Sequence, residues 1–198
     1  MGKRKNNTLV RRTGQRAYRP VCWVSAEGAT ERDYFRMVVF KDARASVKYP
    51  KNVHPSRRNP AAVLKRLQKE IGPGGLRYGD EAWVVVDVDD YESELADLLE
   101  WCDSHSGFHL AVSNPKFELF LVMHFEKANG CTSASKTDAA LKRYMPGYNK
   151  RLTPTQFSLE NIRDAVANAR GKRVACTEKL PGPGMTDVFK LVESLLEV

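Results

Sequence analysis

Residues 81–89 read EAWVVVDVD, a run whose valines continue unbroken until two aspartates close it. A half-wetted antiparallel strand would alternate apolar and polar side chains, so this run predicts a strand buried on both faces, as in a parallel sheet covered by helices. Its surroundings agree. Upstream, Asn59 and Pro60 provide a cap and first position for the helix AAVLKRLQKEI, which the glycines of GPGGLRYG end. Downstream lie the acidic helix YESELADLLEWCDSH, a strand at 108–113, and an apolar helix, KFELFLVMHFEKA, opened by Pro115. Nearer the start, PVCWVSA at 20–26, then Gly28, then ATERDYFRMVVF read as strand, tight turn and helix, with a weaker strand at 43–49. The last third is mostly helical, including 159–170 and 185–196, with PGPG as a breaker between them. Strand and helix alternating in this order predict an α/β fold, a small mostly parallel sheet flanked by helices with a helical C-terminal part.

Length and composition allow one soluble domain, since 198 residues with 42% hydrophobic and 28% charged content can bury a core without disulfides. The four cysteines, Cys22, Cys102, Cys131 and Cys176, form no C-x-x-C pair and read as reduced, mostly core thiols. The net charge of +8 is concentrated in residues 1–20, which hold seven basic side chains and no acid. A basic tail at 1–19, with Arg11, Arg12 and Arg16 as its phosphate contacts, is therefore expected ahead of a single domain at 20–198. The tail lacks the apolar segment of a signal peptide, and no stretch approaches the roughly 20 apolar residues of a membrane span, so a cytoplasmic protein without a membrane partner is expected.

The chemistry is expected where strands end. Glu27 follows the first strand, and Asp87 and Asp89 close the third; carboxyl ends of strands are where ligands collect in open α/β sheets. Residues two apart in a strand share a face, and two carboxylates about 4 Å apart repel by roughly 1 kcal/mol even in a water-like dielectric. Oxygen-only donors of this kind select Mg²⁺ or Mn²⁺, which would neutralise phosphoryl oxygens and orient an attacking water. A plainer alternative is that Asp89 or Asp90 caps the next helix.

VSAEGATERDYF, WVVVDVDD, SNPKFELFLVMHF and TDVFKLVESL together resemble the RloB-like family of bacterial defence-associated proteins, over residues 20–196. The first two motifs are also similar to the Toprim core and to the nuclease domains of the OLD family. That resemblance implies a Toprim-like fold, metal ligation by Glu27, Asp87 and Asp89, and Glu31 as the second acid of the OLD-type motif. It implies a nuclease cutting DNA or structured RNA such as tRNA, an effector of anti-phage defence and abortive infection. The family pattern S-N-P-x-F-E-x-W-L-x-x-H-F is met at 113–125 except that Phe120 replaces Trp. Glu118, a carboxylate among apolar neighbours, serves a second metal, orients a basic partner, or forms the polar edge of its helix. His124 reads as structural.

OLD-type sites also use a lysine near the phosphate. Lys136, Lys142 and Lys150 are equal by spacing, and Lys136 is taken as the catalytic one. Lys142, Arg143 and Lys150 with Tyr144 and Tyr148 form a basic, aromatic patch suited to nucleic acid or to plain surface. No G-x-x-x-x-G-K-[ST] motif is present, which suits an effector controlled by a partner ATPase. The oligomeric state is left open, a homo-oligomer included. Two rivals stand: a non-catalytic nucleic-acid-binding adaptor of that ATPase, and an aspartyl-nucleophile phosphatase. The latter's D-x-D normally follows the first strand, unlike DVDDY here.

Overall fold

The computed structural model describes residues 18–51, 59–88 and 92–198. Five strands, β1 (Val21–Ala26), β2 (Ser46–Lys48), β3 (Glu81–Asp87), β4 (Phe108–Asn114) and β5 (Met185–Thr186), form one sheet in the order β2-β1-β3-β4-β5. The first four are parallel, and β5 runs antiparallel to β4. The valine run behaves as its sequence demands: Trp83 and Val85 enter the core on one face, Ala82, Val84 and Val86 the core on the other.

Among the described residues seven helices cover the faces. α2 (Pro60–Ile71) and α3 (Glu92–Ser104) bury Val63, Leu67, Leu95 and Leu98 on the smaller side. α1 (Ala29–Phe35), α4 (Glu118–Val122), α6 (Leu159–Arg173) and α7 (Val188–Leu195) build the larger core, to which α5 (Ala134–Tyr144) adds Ala140 and Leu141. The Asn59 side chain accepts the Ala62 N–H at 3.2 Å, as a cap preceding Pro60 should. Among the described residues no helix is long and apolar enough to cross a membrane.

Three elements differ from expectation, each because a competing hydrogen bond replaces a helical one. The helix expected at 29–40 stops at Phe35, since Val38 N–H turns away to the Pro154 carbonyl at 2.8 Å and only a 3-10 turn follows. The helix expected at 116–128 shrinks to Glu118–Val122: the His124 ring takes the Phe120 carbonyl at 2.9 Å, in place of its own backbone N–H. The helix expected at 185–196 begins at Val188 because Met185 and Thr186 pair with β4.

From β1 the chain goes to β2 on one side and then to β3 on the other. The crevice between the carboxyl ends of β1 and β3 is thus a topological switch point, where ligands bind in such sheets. Glu27 and Asp87 stand at those two ends.

Candidate active site

Ala26 pairs with Val85 across the parallel β1–β3 ladder, so the residues that follow emerge side by side. Glu27 Oε1 accepts the Asp87 N–H at 3.3 Å, which joins the two strand ends directly. Asp87 continues the Trp83 and Val85 alternation and therefore faces the larger core, where α1 and α4 begin.

Glu31, in the first turn of α1, is only 5% exposed. Burial pushes its carboxyl up to about 7; its own backbone N–H opposes this, Glu118 adds to it, and Lys150 and Arg32 also oppose. Gly28 explains how the carboxylate reaches its place: a Cβ there would lie 2.6 Å from Glu31 Oε2, well inside contact distance. The glycine of E-G-x-T-E is thus set by side-chain approach, its extended backbone being open to any residue.

Glu118, 4% exposed, projects from the first turn of α4. Lys150 Nζ meets its Oε1 at 2.5 Å, and the Tyr148 hydroxyl donates to the same oxygen at 2.9 Å. The Thr30 hydroxyl lies 2.8 Å from Tyr148 Oη and 3.1 Å from the Lys150 carbonyl, so α1 holds the loop that delivers both side chains. Lys150 takes a left-handed backbone there (φ 66°), yet its side chain stays 63% exposed. Burial would lower the Lys150 pKa, but Glu118, Asp138 and Asp87 together raise it. One mobile cation therefore feels acids from three elements.

On the other side of Glu27 stands Arg66, half-buried on α2 at the border of the face that buries Val63 and Leu67. Its Nη2 donates to the Ala26 carbonyl at 3.3 Å, while Nε and Nη1 are buried and find no hydrogen-bond partner among the described residues. Burial and the neighbouring Arg32 lower its pKa, and Glu27 raises it. Sequence reasoning passed over Arg66, because its position off the Val63 and Leu67 stripe of α2 reads as a solvated edge.

The other expected residues fall in three places. Asp89, Arg11, Arg12 and Arg16 lie outside the described residues. Lys136 is exposed in the first turn of α5, its N–H on the Ser133 hydroxyl. Lys142 is exposed on the same helix, whereas Arg143 and the Tyr144 hydroxyl both bind Glu126 and Tyr144 stacks on Phe125. His124 is a core residue: Nδ1–H serves the Phe120 carbonyl, Tyr34 Oη lies 2.9 Å from Nε2, and burial drives its pKa down to about 3.

Pairwise links thus join these acids: Glu27 meets the Asp87 backbone, Glu31 and Glu118 feel each other's charge, and Lys150 feels both Glu118 and Asp87, with Arg66 near Glu27. Such a donor set is all oxygen, which suits a hard divalent cation. Among the described residues no three His, Cys, Asp or Glu side chains already form an ion cage, and Asp89, the remaining expected ligand, is not one of them.

A family model described as RloB-like protein matches residues 22–195. No curated protein and no solved structure matches the chain.

Proposed function

The chain belongs to the RloB-like protein family, and we propose that it is a Mg²⁺- or Mn²⁺-dependent nuclease, a hydrolase of phosphodiesters in DNA or structured RNA such as tRNA. The observation that carries this reading is the contact at the switch point of a parallel sheet, where Glu27, just after β1, accepts the N–H of Asp87 at the end of β3, with Lys150 feeling both Asp87 and Glu118. Chance rarely concentrates carboxylates in a partly buried crevice, because each burial costs free energy unless a cation offsets it.

Glu27 and Asp87, with Asp89, would hold the cation, and Glu31 and Glu118 would extend the set. When bound, it would neutralise phosphoryl oxygens and lower the pKa of a water. The chain's own groups do the positioning. Tyr148 and Lys150 fix Glu118 in one orientation, and the exposed ammonium of Lys150 can follow a phosphate without leaving the site. Arg66 brings a second fixed positive charge beside Glu27. The basic N-terminal segment raises the local concentration of a polyanionic substrate. In the cell we read this activity as an effector of anti-phage defence working with a separate ATPase.

To test it, the full chain is incubated with Mn²⁺ and single-stranded DNA, duplex DNA or tRNA, beside Glu27→Ala and Asp87→Ala. Cleavage by the wild type alone is expected, and equal activity in all three proteins would remove these residues from the chemistry. One observation favours a second reading, the non-catalytic adaptor: Glu118 is already satisfied by Lys150 and Tyr148. Calorimetry separates the two, since an adaptor binds no divalent cation.

A further inference from the structure

Beside the acids, on the far side of the Glu118–Lys150 pair, opens a cleft of about 340 Å³ that the hydrolytic reading does not use. Its floor is Leu141, Met145 and Pro146, its walls Tyr148, Lys142 and Lys150. Asp138 also reaches the rim, but Lys116 pairs with it at 2.6 Å and offsets its charge. The volume is within the roughly 300–1,000 Å³ of small-ligand sites. An apolar floor between two lysines matches a flat apolar ring with a phosphate beside it, and an acidic peptide would leave that floor unfilled. Lys150 and Tyr148 belong to cleft and acid site alike, so a group bound here adjoins whatever is bound at Glu118.

We propose that this cleft takes the nucleotide next to the phosphate held at the acid site, its base against Met145, Pro146 and Tyr148 and its phosphate on Lys142. The inference rests on the hydrolytic reading and narrows it to one substrate class: nucleic acid presenting an unpaired nucleotide. A duplex base reaches such a cleft only after unstacking, so single strands and loops bind better than blunt duplex.

Binding of a labelled oligothymidylate, free or paired with its complement, is measured for the full chain in Ca²⁺ and its cleavage in Mn²⁺. Lys142→Glu, at an exposed position, and Met145→Glu are compared with Lys179→Glu, an equal charge change on a side chain remote from the cleft. The first two should weaken single-strand binding and raise KM about tenfold with kcat little changed. Lys179→Glu should stay within about twofold of wild type. Should Met145→Glu fail to fold, Lys142→Glu decides alone. Parity of Lys142→Glu with the Lys179→Glu control overturns the cleft, as does duplex binding equal to single-strand binding or equally tight binding of polyglutamate. A wild type that never cleaves but loses binding through Lys142→Glu sinks the hydrolytic reading and keeps the cleft. Cleavage with an unaltered KM in Lys142→Glu does the reverse.

Discussion

Two buried acidic centres lie along this sheet, and they are compensated in different ways. At the β5 edge, Asp187, 4% exposed, receives Arg173 Nε at 3.0 Å and Lys190 Nζ at 2.7 Å. The rest of the Arg173 guanidinium is spent on the Glu178 and Lys179 carbonyls. One acid meets two bases, each nitrogen of the Arg173 guanidinium has an acceptor, and the cluster ties α6 to α7. At the β1–β3 switch point the ratio runs the other way: four acids gather, Lys150 serves Glu118, and burial leaves the Glu31 carboxyl titrating at about 7. A balanced cluster stabilises the fold, while an acid-rich one stores electrostatic cost that a ligand can relieve.

Substitutions should therefore separate the two centres. The largest effect is expected from Asp87→Ala, which should reduce Mn²⁺-dependent cleavage about 1,000-fold with little change in melting temperature. Arg173→Ala should do the opposite, costing about 3 kcal/mol in urea denaturation by leaving Asp187 with Lys190 alone, at unchanged activity per folded molecule. Loss of activity without loss of stability in Arg173→Ala would erase the distinction.

Glu31 gives a smaller, pH-dependent effect. Its folded pKa of about 7 exceeds the ordinary 4.5, so the folded chain holds a proton that the unfolded chain has released. Stability must then fall as pH rises from about 4.5 to 7, by about 3 kcal/mol. Glu31→Gln should flatten denaturation midpoints across that window, and an unchanged slope would show that Glu31 is not the group responsible. The smallest stability effect is expected for Gly28→Ala. Its Cβ meets only the mobile end of Glu31, so stability should move by about 0.5 kcal/mol at most. Displacing that carboxylate should still lower cleavage about tenfold.

Much of the acid site was legible because its residues sit at transitions that composition marks. The valine run of β3 ends at Asp87, and the apolar β1 ends at Glu27 before a glycine, so the meeting of strand ends followed from parallel pairing. Which lysine pairs with Glu118 was not legible. Lys136, Lys142 and Lys150 are alike in sequence, and what distinguishes Lys150 is a left-handed backbone and a hydroxyl contributed by Thr30, 120 positions away. Arg66 escaped because a single basic residue on a helix reads as solvated until its neighbours are known. The shortened α1 and α4 share one cause: a distant carbonyl and a histidine ring replaced helical hydrogen bonds whose loss no local propensity records.

The central claim is that carboxylates from separate elements form one divalent-cation site. Anomalous diffraction from crystals of the full chain soaked in Mn²⁺ addresses it most directly. The account predicts a manganese peak about 2 Å from carboxylate oxygens of both Glu27 and Asp87. Manganese absent from that crevice, or bound only elsewhere on the molecule, would contradict it.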